Sequence, residues 1–262
     1  MQDNETAVGL TFQAQMVTIG SHLPRWPQST IEHRTSGMIP LRDTTRSRTT
    51  PYVNYVLIGV SGLVFLLELF LGDRAETLVW SFGVIPADVS AALHKGYFSL
   101  GVFLPLLTSM FLHGGVMHLV GNMLYLYVFG DNVEDRLGHG AYLFFYLLCG
   151  VGASLTEVYF HQASDVPLIG ASGAIAGVLG AYFLLYPRAK ILTLIPLFVF
   201  FPVVEVSAFF FLGFWFVLQF IQGSLSYGAS VQGGVAWWAH AGGFLAGVAL
   251  LICFVVLRRV TH

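Results

Sequence analysis

A serine in the run Gly170-Ala171-Ser172-Gly173 and a histidine in the run Trp238-Ala239-His240-Ala241-Gly242-Gly243 each stand at the start of an apolar segment. A hydroxyl and an imidazole are the parts of a nucleophile and its base, because the weak serine hydroxyl becomes reactive when a neighbouring group takes its proton. Both segments are apolar enough to enter a bilayer. There a charged side chain costs about 2.5 to 3.5 kcal/mol on insertion scales, so an ionisable residue calls for a functional reason. A second polar pair, His118 and Asn122, lies four residues apart and so projects from one face of a helix.

Composition sets the elements that must position these groups. Of 262 residues, 56% are hydrophobic and 10% charged, and the mean hydropathy is +0.74. These are the values of a polytopic membrane protein, with the lipid bilayer as solvent. A net charge of −2 without any Lys/Arg block argues against nucleic acid as a partner. Cys149 and Cys253 both lie in apolar runs and read as buried small hydrophobes, with neither a disulfide framework nor metal-ligand spacing. Nothing in the sequence speaks to oligomeric state.

Residues 1–50 are polar, carry Ser, Thr and Pro, and lack a helical apolar stripe. They are expected to be a disordered cytoplasmic tail ahead of a membrane domain over 51–262. No basic start followed by an apolar core and a cleavage site is present, so a secretory signal is not expected. Met38, just ahead of the first apolar run, is a candidate biological start. Apolar runs then recur at Tyr52 to Leu71, Val116 to Gly130, Ala141 to Phe160, Ala171 to Tyr186, Val203 to Ile221 and Trp237 to Leu257. Crossing a hydrocarbon core of about 30 Å takes about 20 helical residues. Four runs are therefore full-length, and the second and fourth are short and need shelter. The apolar stretch from Ile191 to Pro202 reads as an interfacial or re-entrant piece. The predicted fold class is all-α, a polytopic membrane bundle of six transmembrane helices.

With the N-terminus inside, ten of the twelve Lys and Arg residues fall on the inner side and only Arg74 and Lys95 outside. Both termini are therefore expected in the cytoplasm. The stretch Gly72 to Leu112, with Trp80, Phe82, Tyr97 and Phe98 and few charges, is expected to lie in the outer interface. Counted from the inner helix ends, Ser172 lies about 22 Å up, His240 about 27 Å, His118 about 20 Å and Asn122 about 14 Å. The first three agree to within about 7 Å and fall in the outer half of the bilayer. Gly173 with Gly177, and Gly243 with Gly247, repeat at four and let the fourth and sixth helices approach backbone to backbone. Ser172 also opens its helix, where unpaired N–H groups and the positive dipole end favour an anion.

Taken singly, each feature has a plainer reading. A serine in a glycine-rich membrane helix usually packs, and an intramembrane histidine or a His-Asn pair can serve as interhelical glue. A metal or haem site built on His113, His118 and His240 is a rival of another class. The step of five residues from His113 to His118 turns about 140° around a helix, which suits one metal poorly. His113 reads as structural, and neither Glu157 nor Glu205 has an evident cationic partner.

From about Tyr52 to Leu257 the chain resembles the rhomboid family of intramembrane serine proteases. Four motifs in order carry the resemblance: His113-Gly-Gly-Val-Met-His118-Leu-Val-Gly-Asn122, Gly130-Asp-Asn-Val-Glu134-Asp-Arg136-Leu-Gly138, Gly170-Ala-Ser172-Gly173 and His240-Ala-Gly-Gly243. It implies a rhomboid-like six-helix bundle in a bacterial plasma membrane, acting on transmembrane protein substrates without a cofactor or metal. Ser172 would be the nucleophile and His240 the base. The oxyanion would be held by the Ser172 backbone N–H and the side chains of His118 and Asn122. Glu134 and Arg136 would be structural, tying their loop to neighbouring backbone groups. Two positions depart from the pattern. Leu104-Pro105 stands where many relatives carry Trp-Arg, and Ala176 where one branch places a tyrosine beneath the histidine ring, so orientation of His240 falls to other packing. The alternative within the family is a non-catalytic chaperone or transporter, which would be expected to have lost the serine or the histidine; both are present here.

Overall fold

The computed structural model describes residues 38–196, 200–226 and 235–260, the last six of these by backbone alone. Strand β1 (Ile39–Asp43) leads into helix α1 (Tyr52–Leu71). Four short helices follow on the expected outer side: α2 (Ala75–Phe82), α3 (Pro86–Lys95), α4 (Leu100–Phe103) and α5 (Pro105–Thr108). Then come α6 (Val116–Leu137), α7 (His139–Phe160), α8 (Ser172–Leu185), strands β2 (Lys190–Leu194) and β3 (Val203–Ser207), α9 (Ala208–Ser226) and α10 (Trp237–Val260).

Among the described residues, Tyr52–Phe82, His139–Phe160, Ala208–Ser226 and Trp237–Phe254 are long and apolar enough to cross a membrane. The pair Leu100–Phe111 and Val116–Leu137, bent by 79°, makes a fifth candidate. The sixth member of the expected bundle is α8. Its 14 residues reach about 21 Å, short of the hydrocarbon core. It is the central helix: every residue from Gly173 to Tyr182 is buried, as an all-round apolar helix requires. Shelter by α6, α7 and α10 is what allows it to be short.

Three expected boundaries change. Helix α6 does not stop at Gly130 but runs 22 residues to Leu137, because its polar end is bonded. Buried Glu134 accepts hydrogen bonds from the backbone N–H groups of Val53 (3.0 Å) and Asn54 (2.7 Å), and its Oε1 lies 2.5 Å from His139 Nδ1. Glu134 thereby caps the first turn of α1, whose N–H groups have no intrahelical acceptor. These bonds join the end of α6 to the backbone of α1, and Arg136 stands exposed nearby. Asn54 Nδ2 donates to Leu126 O at 2.9 Å, and the Tyr142 hydroxyl donates to Asn54 Oδ1 at 2.8 Å. A β-carbon on Gly130 would come within 2.6 Å of Asn54 Cγ, so glycine is required where α1 and α6 meet.

The second change concerns Ile191 to Pro202, expected to be an interfacial or re-entrant piece. Its first residues form β2, and Val203–Ser207, expected to begin a span, is β3. With β1 they make an antiparallel sheet ordered β1-β2-β3, in which Ile39 faces Leu194 and Lys190 faces Ser207. Ile191 and Thr193 are buried on one side of β2, the period of two that a half-covered strand shows. Lys190 Nζ lies 2.8 Å from Glu205 Oε2, the partner that was not evident in the sequence.

The third change is in the expected tail. From Met38 onward it belongs to the fold, with β1 in the sheet, while residues 1–37 lie outside the described residues. Asp43 accepts hydrogen bonds from the Tyr182 hydroxyl and from Asn132 Nδ2, the latter at 2.9 Å. Thr49 donates to Asp135 Oδ1 through its backbone N–H (2.8 Å) and its hydroxyl (2.7 Å). Burial pushes the Asp43 carboxyl above the usual carboxylate range, an effect that the Tyr182 hydroxyl partly offsets.

Candidate active site

Ser172 is the first residue of α8 because the chain before it is pinned. Val84 N–H donates to Leu168 O at 3.0 Å, Leu168 N–H donates to Val84 O at 2.7 Å, and Gly170 N–H donates to Ser109 O at 2.9 Å. The outer segment thus straps down the approach to the serine. Gly170 has φ +119, a conformation that favours glycine. A β-carbon there would also fall 2.7 Å from the His118 ring, so two independent demands fix this residue type.

The glycines expected to bring α8 and α10 together face one another. A β-carbon on Gly243 would lie 3.0 Å from the Gly173 carbonyl carbon, and one on Gly247 would lie 2.6 Å from Gly177 Cα. This close approach carries the two reactive side chains into contact, with Ser172 Oγ 2.8 Å from His240 Nε2. Both residues are half-buried.

The imidazole is held from several sides. Its Nδ1 lies 2.7 Å from Gln219 Oε1 on α9. The Trp215 ring packs against it at 5.9 Å between centroids, tilted by 32°, and Trp237 meets it edge-on at 6.2 Å. Aromatic residues and an amide take over the orientation that Ala176 cannot provide. The first turn of α10 is anchored in turn by Glu157 at the end of α7. Its Oε2 accepts from Ala239 N–H at 2.8 Å, and its Oε1 lies 2.6 Å from His161 Nδ1. That pairing with His161 supplies the partner that Glu157 lacked in the sequence.

His118 and Asn122 converge on Gly170, two residues before the serine. Alongside the contact with the His118 ring, a β-carbon on Gly170 would stand 3.7 Å from Asn122 Nδ2. Gly114 N–H donates to His118 Nδ1 at 3.4 Å. Asn122 is buried, and its Nδ2 has no hydrogen-bond partner among the described residues. A buried amide donor without an acceptor costs free energy, and its place against Gly170, two residues before the serine, suits it to donate to an oxygen that develops negative charge there.

His113 precedes α6 rather than lying on it, so the helical angle between His113 and His118 does not apply. Their rings meet edge-on at 5.2 Å, and His113 N–H donates to the Glu68 carboxylate at 3.2 and 3.3 Å. Among the described residues, no group of three or more His, Cys, Asp or Glu side chains is placed to hold a metal ion. His113, His118 and His240 do not form one.

Sequence reasoning missed Gln219, Trp215 and the role of Glu157. The available signal was polarity out of place: Gln219 is the first amide or charged residue in the run from Ala208, and Glu157 sits inside an apolar run.

The family profile described as Rhomboid domain matches residues 100–257. Over 133 residues the chain is 38% identical to Rhomboid protease GluP of Bacillus subtilis (strain 168), an alignment covering 50% of this chain and 24% of that protein. Over 142 residues it is 32% identical to Rhomboid protein 1, mitochondrial, of Saccharomyces cerevisiae (strain ATCC 204508 / S288c), covering 53% of this chain and 38% of that protein. Over 115 residues it is 32% identical to Putative rhomboid protease YdcA of Bacillus subtilis (strain 168), covering 41% of this chain and 56% of that protein. The chain thus spans from about a quarter to just over half of the length of these relatives.

Proposed function

Because the chain belongs to the rhomboid family, we propose that it is an intramembrane serine endopeptidase, hydrolysing peptide bonds within or beside transmembrane segments of other membrane proteins. The observation that carries this reading is the 2.8 Å approach of Ser172 Oγ to His240 Nε2. It is backed by the unpaired Asn122 amide, which faces Gly170 two residues before the serine.

Ser172 Oγ attacks the scissile carbonyl carbon while His240 Nε2 takes the hydroxyl proton. The resulting oxyanion is held by the Ser172 backbone N–H and the side chains of His118 and Asn122. Collapse of the adduct breaks the C–N bond. His240 returns the proton to the leaving amine, and an acyl ester remains on Ser172. Water, giving its proton to His240, then hydrolyses the ester and regenerates the serine. These steps draw on no cofactor. A helical peptide bond is hydrogen-bonded and shielded, so the substrate unwinds at the cleaved position. The proposed location is a bacterial plasma membrane with both termini cytoplasmic, which the ten-to-two distribution of Lys and Arg supports.

The test is turnover of a reporter transmembrane substrate in liposomes by the wild type, Ser172→Ala and His240→Ala, together with labelling by a fluorophosphonate. The wild type is expected to cleave and to label at Ser172, with each variant slower by at least about 10³-fold. Equal cleavage by all three would overturn the assignment. A folded wild type that neither cleaves nor labels would identify a non-catalytic member of the family.

A further inference from the structure

Gln219 is 5% exposed in a helix whose preceding eleven residues contain no amide or charge. A buried amide is costly unless bonded, and this one meets His240 Nδ1 at 2.7 Å, while Nε2 of the same ring meets Ser172 Oγ at 2.8 Å. The amide is held in register by aromatic contacts on either side of it. Phe216 packs on Phe244 with centroids 4.8 Å apart, and Phe220 meets Trp238 at 5.5 Å. A β-carbon on Gly223, one turn further, would press on Trp238 at 3.1 Å. Packing of α9 on α10 therefore sets where the amide oxygen stands.

We propose that Gln219 is a positioning residue which, by presenting its carbonyl oxygen to Nδ1, locks His240 in the Nδ1–H tautomer and leaves the Nε2 lone pair facing Ser172. The inference rests on the protease reading of the Ser172 and His240 pair. A neutral imidazole carries one donor and one acceptor nitrogen, and the hydrogen bond made by one decides the role of the other. The opposite tautomer would turn an N–H toward Ser172 Oγ and leave the serine without a base. A buried carboxylate sets the tautomer in the triads of soluble serine proteases. In a membrane helix a second charge is expensive, and a neutral amide does the same task without one. Helix α9 thereby becomes part of the catalytic apparatus: displacing it from α10 removes the acceptor from Nδ1.

The experiment compares the wild type with Gln219→Met, which keeps length and removes the acceptor, and Gln219→Glu, which restores an acceptor with charge. It reads kcat, KM and the pH profile on a reporter substrate in liposomes, thermal melting, and the 15N-histidine spectrum, with His240 assigned by its loss in His240→Ala. The wild type is expected to show a protonated Nδ1 and a bare Nε2. Gln219→Met is expected to mix the tautomers and lower kcat by about 10- to 100-fold, part of what a general base contributes, with KM and melting temperature unchanged. Gln219→Glu is expected to recover most of kcat. Its carboxylate favours the imidazolium, so the acid limb of its profile moves to higher pH. A Gln219→Met profile identical to the wild type would overturn the proposal, as would equal losses in both variants matched by lower melting temperatures. If the wild type neither cleaves nor reacts with a fluorophosphonate, the protease reading fails. The tautomer spectrum still decides the role of Gln219, and a wild type without the Nδ1–H signal overturns it.

Discussion

Asn122 shows at the scale of one residue a local penalty carried by the folded chain. Its amide nitrogen is buried without an acceptor, a state that costs stability and that a purely structural residue would have been free to avoid. Under the proposed mechanism the missing acceptor is the oxyanion itself. Asn122→Ala is therefore expected to lower kcat by about 10²- to 10³-fold, with the melting temperature unchanged or raised and KM little affected. Steady-state kinetics and thermal melts of the same preparation check both halves. A loss of rate that tracked a loss of stability would assign Asn122 to packing. Glu157 is the opposite case. Its carboxylate is fully engaged by Ala239 N–H and His161, and it acts on the site only through the placement of the first turn of α10.

At the scale of elements, the seam between α8 and α10 determines whether the serine meets the histidine. Gly243 faces the Gly173 carbonyl so closely that a methyl group cannot enter without parting the helices. Gly243→Ala is expected to destabilise by about 1–3 kcal/mol, the usual cost of overpacking. It should lower activity further than stability alone explains, because widening the seam lengthens the bond between Ser172 and His240. Gly59→Ala on α1 is the control: nothing lies within 4 Å of a β-carbon there, and alanine has the better helix propensity. It is expected to leave turnover unchanged and the melting temperature equal or higher. The same logic explains α8 itself. A helix surrounded by others does not have to match the bilayer, so Ser172 can open it directly after the pinned stretch from Leu168 to Gly170.

Across the whole molecule, the sheet of β1, β2 and β3 joins the segment after Met38 to the stretch between α8 and α9, with Asp43 at its junction with Tyr182 and Asn132. Burial raises the pKa of Asp43, so folding favours its protonated form. Its contribution to stability is complete below the ordinary aspartate pKa and is lost as pH rises through the raised, folded-state value. Asp43→Asn keeps a neutral hydrogen-bonding group and is expected to flatten this decline. Thermal melts between about pH 4 and pH 8 in one lipid mixture test it. A wild type and variant with parallel curves would show that Asp43 does not titrate in that window.

Much of this protein was legible as a line of letters. Spans follow from apolar length, a local property, and a serine, two histidines and an asparagine stand out because water-loving groups are costly in lipid. The seam was legible because glycines at a spacing of four mark a face whatever packs on it. The strands were not, since Val203–Ser207 is an apolar, β-branched run that reads equally as the start of a span, and only pairing with β2 decides. Nor was the end of α6: charges at Asp131, Glu134 and Asp135 end an apolar pattern, and it takes the N–H groups of α1 to show that Glu134 continues the helix. Side-chain chemistry depends on partners far away in sequence, 21 residues for Gln219 and His240, 68 for Ser172 and His240, and 82 for Glu157 and Ala239. Residue types and their spacing alone marked a serine, two histidines and an asparagine as candidates and put Ser172, His240 and His118 at similar depth in a membrane bundle. Which nitrogen of His240 faces the serine was left to the tertiary structure, because a hydrogen bond has direction and only packed helices fix one.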